Sequence, residues 1–388
     1  MNQLNIGSGA VGFALLFFAQ IAGSADAKVT TLRTPHDGIQ PQLARSADDR
    51  LHLLYFKGKA GGGDLFLTAT TPGKRDFSEP VRVNSQPGSA IATGTIRGGQ
   101  LALSRDGRAH VVWNGTKALP GSTHEGVPMW YTRSDASGKS FEPQRNLITY
   151  AGGLDGGGDV TVDSAGRVHV LWHGATATNT AGESGRAVFI ATSTDRGETF
   201  PPEIAASPTG TGACGCCGMS AFADSTGRLF ALFRSAATKL DRDELLIVSS
   251  DGGRSFTESH RAPWQIASCP MSSAAFCESP AGVHAAWEAS GQIQFTTVPN
   301  TAPRTLAVKS PPGSGRRKHP TIAVNARGET LIAWVEGTGW QRGGALAWQV
   351  FSADGRPTEQ KGRIPDGVPV WGLIAAVALG NGDFLIVH

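Results

Sequence analysis

A pair of short strands, joined by a polar turn and ending in an aromatic residue, recurs along the whole chain. Clear copies are residues 100–113 (QLALSRDGRAHVVW) and residues 159–172 (DVTVDSAGRVHVLW). The aromatic ends lie roughly 47 to 61 residues apart, the length of one four-stranded propeller blade with its loops. The repeat therefore predicts an all-β fold, a β-propeller of four-stranded blades. The aromatic ends are Tyr55, Trp113, Trp172, Phe233, Trp287 and Trp334, and a last copy spans residues 374–387.

The number of strand pairs predicts seven blades. The last pair stops at His388 before a third strand is reached. Residues 29–33 (VTTLR), near the other end of the chain, have the pattern of a short strand and are predicted to join the last blade as an outer strand. Such closure removes the open sheet edges at which β-proteins aggregate.

Composition agrees with this fold and excludes some partners. The 388 residues include 51 glycines and 22 prolines, which supply many turns, and only 17% are charged. The formal net charge of +3 is small and its basic residues are scattered. Binding to nucleic acid or to an anionic membrane surface requires basic residues on one face, so neither partner is expected.

The first 27 residues have the features of an export signal. An apolar run over residues 10–22 is followed by Ala25-Asp26-Ala27, a cleavage site of the A-x-A kind. The run is too short to span a bilayer, so no transmembrane span is predicted. Residues 1–9 carry no Lys or Arg, which leaves an uncleaved interfacial anchor as the alternative. The expected organisation is a signal peptide over 1–27 and one propeller domain over 28–388, exported to the periplasm or the medium.

The turn after the third strand of two repeats carries a family resemblance. Residues 193–200 (STDRGETF) and 249–256 (SSDGGRSF) match the S-x-D-x-G-x-T/S-aromatic pattern. This pattern resembles the Asp-box (BNR) repeat of sialidase-like propellers. The resemblance implies a structural role for these turns and, because sialidases have six blades, makes six blades the alternative count. The turn residues concerned are Asp195, Gly197, Asp251 and Gly253.

The resemblance also implies where a ligand would bind. In such propellers the segments between blades open on one face, together with the loops between second and third strands, and Asp-boxes lie on the opposite face. Sialidase-like enzymes hold a substrate carboxylate with three arginines, because a guanidinium matches a carboxylate in two hydrogen bonds. The tyrosine nucleophile of that family has no clear counterpart here, so sialidase activity in the strict sense is not expected. The candidate ligand-binding residues are Arg97, Arg242, one of Arg316, Arg317 and Arg342, and Trp371.

Carboxylates in the same segments are candidates for acid–base chemistry. Asp155 and Asp159 flank three glycines, which let a backbone approach a ligand closely. Asp243 is a third candidate. Each has an alternative structural role, as a turn aspartate or, for Asp243, as the partner of Arg242.

Four cysteines precede the first strands of two successive blades and are predicted to meet at the mouth. Cys214, Cys216 and Cys217 precede one strand, and Cys269 precedes the next. In an exported chain a disulfide between Cys269 and one of the three is the first expectation. The alternative is a copper or zinc site, because soft sulfur ligands suit these metals. Its further ligands would come from Met219, Met271, His319 or His36, whereas Cys277 is expected to be a buried free thiol.

The remaining repeated polar residue is a histidine three places before the aromatic end. It occurs as His52, His110, His169 and His284, and repetition at one position favours packing between blades over ligation.

Three functions stay open. The preferred one is an exported sialidase-like propeller that binds or processes a glycan, with an acidic sugar as candidate ligand. Its enzymatic status is left open between binding, glycoside hydrolysis and polysaccharide lysis. The alternatives are a metal-binding or redox propeller, and a non-catalytic propeller that binds a protein or polysaccharide. No feature predicts an oligomeric state.

Overall fold

The computed structural model describes residue 1 and residues 27–70, 76–94, 97–116, 127–154, 156–300 and 305–388. Within these ranges the strands form seven sheets, and the first strand of each contacts the first strand of the next until the ring closes. The predicted seven-bladed β-propeller is therefore confirmed, and the six-bladed alternative is wrong. The described helices are two short 3-10 turns, at Pro35–Asp37 and Gly182–Gly185.

The strands are numbered in chain order. The chain begins with β1 (Val29–Leu32), and blade 1 contains β2 (Ile39–Arg45), β3 (Leu51–Lys59), β4 (Gly62–Ala69) and β5 (Val81–Arg82). Blade 2 contains β6 (Gln100–Leu103), β7 (Ala109–Asn114), β8 (Met129–Arg133) and β9 (Arg145–Asn146). Blade 3 contains β10 (Gly158–Val162), β11 (Val168–Gly174), β12 (Ala187–Ser193) and β13 (Ile204–Ala205). Blade 4 contains β14 (Ser220–Ala223), β15 (Leu229–Arg234), β16 (Glu244–Ser249) and β17 (Thr257–Ala262). Blade 5 contains β18 (Ala275–Ser279), β19 (Gly282–Ala289) and β20 (Gln292–Val298). Blade 6 contains β21 (Arg317–Val324), β22 (Thr330–Glu336), β23 (Gly344–Phe351) and β24 (Pro357–Val368), and blade 7 contains β25 (Ala375–Ala378) and β26 (Phe384–Val387).

Neighbouring strands within blades 1 to 6 are antiparallel, and the first strand of each blade lies at the centre of the ring. Five of the seven sheets have four strands in the described residues. Blade 5 has three, and an isolated bridge between Phe295 and Lys309 stands in the place of a fourth.

Blade 7 closes the ring with both ends of the described domain, as predicted. β1 pairs with β26 in parallel, with Val29 opposite Phe384 and Leu32 opposite Val387. The pairing continues beyond the strand, because the Thr34 amide donates to the His388 carbonyl at 2.7 Å. Both edges of β26 are therefore covered, which removes the sheet edge that an open ring would expose.

The core lies between adjacent blades and is built from the second and third strands. The aromatic ends of the sequence repeat fill it: Trp113, Trp172 and Trp287 are fully buried. Apolar side chains from neighbouring blades form one cluster around each interface. The repeat is therefore visible in the sequence because every blade has to offer the same large side chain to its neighbour.

The aspartate turns lie on the face opposite the segments between blades. Asp195 accepts hydrogen bonds from the Thr199 amide at 2.9 Å and from the Ser193 and Thr199 hydroxyls. Asp251 makes the same contacts with Ser249 and Ser255. These donors hold the pKa of both carboxyls well below the usual range. Each aspartate thus organises its own turn.

The repeated histidines bind within their own blade, which corrects the expectation of contacts between blades. His169 on β11 meets Asp163 in the preceding turn at 3.2 Å and Thr192 on β12 at 3.0 Å. His284 makes the equivalent contacts with Ser279 and Thr297. The histidine therefore ties the turn between the first two strands to the third strand.

The predicted signal peptide lies almost wholly outside the described residues. Its last residue, Ala27, is fully buried in the core at the closing blade. The Lys28 backbone nitrogen donates to Asp383 Oδ1 at 2.9 Å. No described helix has the length and apolar character required to cross a bilayer.

The closing strand β26 allows a prediction about the free energy of unfolding. Phe384 of β26 is fully buried and packs with side chains of blade 6. Phe384→Ala is expected to lower the free energy of unfolding by about 3–5 kcal/mol, because it removes apolar contacts and leaves a cavity. Chemical denaturation followed by tryptophan fluorescence measures the change.

The matched control is Ile204→Ala, since Ile204 is 45% exposed. This control should change stability by less than about 0.5 kcal/mol. Equal effects of the two substitutions would show that the closing blade does not limit the stability of the ring.

Candidate functional site

The mouth of the propeller is the face where the segments between blades meet the loops between second and third strands. Four non-glycine residues in or just before the first strands of their blades lie in the left-handed region, with φ of 55° at Gln40, 51° at Met271, 51° at His319 and 62° at Trp371. Such backbone costs about 1–2 kcal/mol for a residue with a Cβ atom. The cost recurs at the mouth end of four blades, which makes the mouth the candidate functional surface.

A well of about 380 Å³ leads from the mouth along the central channel. The first strands of all seven blades line it. Small side chains such as Ala102, Ala221 and Ala275 keep it open, and its polar lining includes Gln42, Gln100, Asp159, Ser220, Ser273, His319 and Thr321.

Asp159 is the buried carboxylate of this well. It accepts hydrogen bonds from the Val160 amide at 2.8 Å, the Ala221 amide at 2.7 Å and the Ser220 hydroxyl at 3.2 Å. Burial nevertheless raises the pKa of Asp159 to about 7. The group therefore holds a proton at mildly acidic pH and also ties blade 3 to blade 4.

Three cysteines lie together at the mouth of blade 4. Their sulfur atoms are all within 4.8 Å of one another. Cys214 Sγ is 3.2 Å from Cys216 Sγ and 3.7 Å from Cys217 Sγ. Cys214 and Cys217 are buried, whereas Cys216 is partly exposed. We refer to Cys214, Cys216 and Cys217 as the thiol cluster.

The thiol cluster lies beside the buried guanidinium of Arg234. Arg234 is 1% exposed, bonds Glu244 at 3.0 Å and donates to the Glu288 carbonyl at 2.7 Å. Burial opposes ionisation of Cys217, but hydrogen bonds from Cys214 and Cys216 and the charge of Arg234 overcome it. They lower the pKa of Cys217 well below its usual value.

Two further buried acids surround Arg234. Burial raises the pKa of Glu244 to about 8, although the guanidinium favours its ionised form. Burial likewise raises the pKa of Glu288 to about 7, with Lys318 and Ser272 acting against the shift. The mouth of blades 4 to 6 therefore contains several ionisable groups held out of water.

Arg242 does not face an open ligand site, which differs from the expectation that it binds a carboxylate. It is buried and bonds Glu183 Oε2 at 3.0 Å, while Glu183 Oε1 accepts the Gly215 amide at 2.9 Å. Glu183 thereby links Arg242 to the thiol cluster.

Asp243 is also in an environment unlike the one expected of a catalytic group. Its carboxylate meets Arg261 of the outer strand β17 at 3.1 Å and accepts the Trp264 amide at 2.9 Å. These contacts hold outer elements of blade 4 together, and Arg242 is not its ion-pair partner.

Two tryptophans form the rim of the mouth on the other side. Trp340, in the loop between β22 and β23, is 57% exposed. Its ring lies 4.8 Å from that of Trp371, centroid to centroid, at 78°. Gln40 positions Trp371, because its amide donates to the Trp371 carbonyl at 2.9 Å and to the Ala92 carbonyl at 2.8 Å.

Arg97 lies beside this pair. A Cβ atom built on Gly94 would be 2.6 Å from Arg97 Nη1 and 3.8 Å from the Trp340 ring, so both side chains lie over this glycine. Arg342 is exposed two residues beyond Trp340. We refer to Arg97, Trp340, Arg342 and Trp371 as the rim platform.

The other candidate residues are placed as follows. Arg316 is exposed, and Arg317 is buried and donates to the Pro311 and Pro312 carbonyls. Cys269 is exposed and is not part of the thiol cluster. Asp155 lies outside the described residues.

Neither of the two histidines expected as metal ligands, His36 and His319, belongs to the group that the thiol cluster forms. Met219 packs in the apolar core between blades 3 and 4, and His36 lies against the ring of Tyr55. His319 is buried, and its Nδ1 lies 3.2 Å from the Ser273 hydroxyl. All five cysteines are free, so the expected disulfide to Cys269 is not formed; Cys277 is a free thiol but only half-buried.

The sequence reasoning missed Arg234, Glu244 and Glu288. All three lie at the ends of buried strands, after or before apolar runs such as LFALF and LLIV. A charge at the mouth end of an otherwise apolar strand is the signal that identifies them, because such a charge is seldom buried without a partner.

No protein-family model and no curated protein sequence matches the chain. Several solved structures do match its fold. A protein of unknown function from Dyadobacter fermentans is 15% identical, with a TM-score of 0.53 over 84% of this chain and 97% of that one. The intramolecular trans-sialidase from Ruminococcus gnavus, in complex with oseltamivir carboxylate, is 10% identical, with a TM-score of 0.54 over 82% and 94%. A Hadza microbial sialidase is 13% identical, with a TM-score of 0.50 over 85% and 68%. At these identities the likeness shows a sialidase-like β-propeller fold.

The buried Asp159 predicts a pH dependence of stability. Its folded pKa of about 7 exceeds the ordinary value for aspartate of about 3.9, so the folded chain keeps a proton that the unfolded chain releases. Stability from this group is therefore lost as pH rises from about 4 to about 7. Asp159→Asn should reduce the fall in unfolding free energy between pH 5 and pH 8 by about 2–3 kcal/mol. Denaturation curves at four pH values measure it. Parallel pH profiles of the wild type and the variant would mean that Asp159 is already ionised at pH 5.

Proposed function

We propose that this is an exported propeller that binds a glycan carrying an acidic sugar, and that the rim platform is its binding surface. The observation that carries the proposal is the pair of exposed Trp340 and half-buried Trp371 with Arg97 beside it. These residues come from three different blades, so only the closed ring assembles them.

The tryptophan pair supports a sugar ligand. Trp340 is 57% exposed and adjoins Trp371, and contiguous apolar surface with polar residues at its edge is characteristic of a binding site. Two rings nearly perpendicular to each other make a corner, which offers one ring face and one ring edge to a flat apolar sugar face. Indole also keeps an N–H donor available for a hydroxyl group.

The arginines support an acidic group on that sugar. A guanidinium recognises a carboxylate through two parallel hydrogen bonds. Arg97 is half-buried against the platform, where the pairing is less screened by solvent than on an open surface. Arg342, which is exposed, is placed to meet the same ligand from the solvent side.

The positions of the tyrosines favour binding over sialidase chemistry. The chain has three tyrosines. Tyr55 and Tyr131 are fully buried within blades. Tyr150 donates its hydroxyl to the Glu203 carbonyl and packs against Phe189 on the third strand of blade 3. Among the described residues, therefore, no tyrosine lies at the well in a position to attack a sugar.

Binding is tested by titrating the protein with acidic oligosaccharides that contain a uronic or a sialic acid, and with neutral oligosaccharides of the same length. Calorimetry and tryptophan fluorescence report the affinity. Trp340→Ala and Trp371→Ala should each weaken binding at least about 10-fold, since each removes a central aromatic contact. Arg97→Gln should abolish the preference for acidic over neutral sugars.

Arg105→Gln is the matched control. Arg105 is an exposed arginine in the turn between β6 and β7, on the face opposite the mouth. Unchanged affinity in this variant would separate the effect of Arg97 from a general loss of positive charge. Equal binding of acidic sugars by the wild type and Trp371→Ala would contradict the proposal.

Export makes a separate prediction. Cleavage after Ala27 would convert the Lys28 nitrogen into an ammonium group 2.9 Å from Asp383 Oδ1, at the strand that closes the ring. The mass of protein recovered from the exported fraction should therefore correspond to residues 28–388. Recovery of the full-length chain in a membrane fraction would favour an uncleaved anchor. A mass that includes Ala27 would contradict cleavage after this residue and would mean that the mature protein keeps it in the core.

A further inference from the structure

We propose that the thiol cluster binds a single Cu(I) ion at the mouth of blade 4. This site is separate from the rim platform, which lies on blades 6 and 7 and the segment before blade 2. The inference goes beyond glycan binding and does not depend on it.

The spacing of the sulfur atoms fits one ion. A metal–thiolate bond is about 2.3 Å long, so three sulfurs around one ion in a plane lie about 4.0 Å apart. The observed separations of 3.2 and 3.7 Å, with all three atoms within 4.8 Å, require shifts of less than about 1 Å to reach this arrangement. A disulfide would require two sulfurs at about 2.05 Å.

The donor set favours Cu(I) over zinc. Thiolates are soft ligands that select Cu(I), zinc or iron–sulfur clusters. Structural zinc takes four ligands, commonly thiolates with imidazoles. Among the described histidines, aspartates, glutamates and cysteines, none beyond the three thiols belongs to the group. Cu(I) accepts three thiolates without a fourth ligand, so the three are sufficient for it.

The surrounding charges balance the site. Three thiolates and one monovalent cation carry a net charge of −2, which is costly to bury without nearby positive charge. The Arg234 guanidinium lies close enough to Cys214 and Cys217 to interact with them electrostatically. Its Nε is buried and has no hydrogen-bond partner among the described residues. Arg234 therefore keeps capacity to stabilise negative charge on the cluster, in addition to its contact with Glu244.

The backbone holds the three sulfurs before any ion arrives. The Cys214 amide donates to the Arg234 carbonyl at 2.9 Å, and the Gly218 amide donates to the Ser272 carbonyl at 2.8 Å. The Gly215 amide is held by Glu183. The segment is thus anchored to three elements, which reduces the entropy lost on binding.

The partial exposure of Cys216 provides the route of entry. Cys214 and Cys217 are buried, so an ion arriving from solvent meets Cys216 first. Transfer to the two buried thiols then completes the coordination. Substitution of Cys216 also disturbs the core least, which makes it the preferred position for a test.

The experiment uses the folded, fully reduced protein under anaerobic conditions, with Cu(I) supplied in acetonitrile and a chromophoric Cu(I) chelator as competitor. One Cu(I) per chain is expected, together with an ultraviolet thiolate-to-copper charge-transfer band. Removing one ligand should weaken binding more than about 100-fold, because loss of an outer partner alone costs about 10- to 100-fold. Cys216→Ser is therefore expected to lose the ion and the band, whereas the Cys269→Ser/Cys277→Ser double variant keeps both.

A second measurement needs no variant of the cluster. Thiol alkylation followed by mass spectrometry should show that Cu(I) protects Cys214, Cys216 and Cys217 and leaves Cys269 reactive. Equal reactivity of the three with and without Cu(I), or tight binding in Cys216→Ser, would overturn the proposal. Displacement of Cu(I) by an equal concentration of zinc chloride would also overturn the proposal. A wild-type protein in which two of the three form a disulfide that cannot be reduced without unfolding would also overturn it.

Discussion

The parallel ladder between β1 and β26 is the constraint on which the rest of the molecule depends. A propeller blade buries its two faces only against its neighbours, so an open ring would leave apolar faces of blades 1 and 7 in water. Residues from both ends of the described domain meet in this one sheet. The rim platform uses side chains from blades 6 and 7 and the segment before blade 2, which are distant in sequence and adjacent only because the ring is closed. Stability and binding geometry therefore have the same origin.

The charged groups beneath the mouth are not explained by stability. Taking an ion out of water costs several kcal/mol. Apolar residues of the same size therefore often stabilise a fold as much as, or more than, a buried ion pair such as Arg234 and Glu244. The second strand of blade 7, β26, is apolar along its length, whereas β15 ends in Arg234 and β19 contains Glu288 near its end. Of the buried ionisable groups, Arg234, Glu244 and Glu288 lie in blades 4 and 5, with Arg234 close to the thiol cluster. Their cost is consistent with a site that must stabilise charge.

The fold was predictable because its signal repeats, and parts of the site were not because their partners are unique. Each blade must bury the same large residue, so Trp113 and Trp172 reveal the period directly. The partner of Arg242 was not predictable, since Glu183 lies 59 residues away in a loop of another blade. The inward direction of Arg234 was missed for a related reason: its neighbours in sequence are those of an ordinary strand. Cys269 was grouped with the other cysteines by its position before a first strand, but the long segment before β18 leaves it at the surface.

The segments between blades show how one ring supports two different chemical surfaces. A bulky residue has positive φ at the mouth end of blades 6 and 7: His319 near the start of β21 and Trp371 in the segment before β25. In blade 3 the segment carries glycines instead, and a Cβ at Gly156 would lie 2.6 Å from the Gly215 carbonyl. The absence of a side chain there lets the thiol segment pack closely against its neighbour. Large side chains at positive φ therefore occur on one side of the mouth, and small residues allow close packing beside the thiol cluster on the other. Neither arrangement disturbs the strands, because the apolar core between blades is formed by the strands and not by these segments.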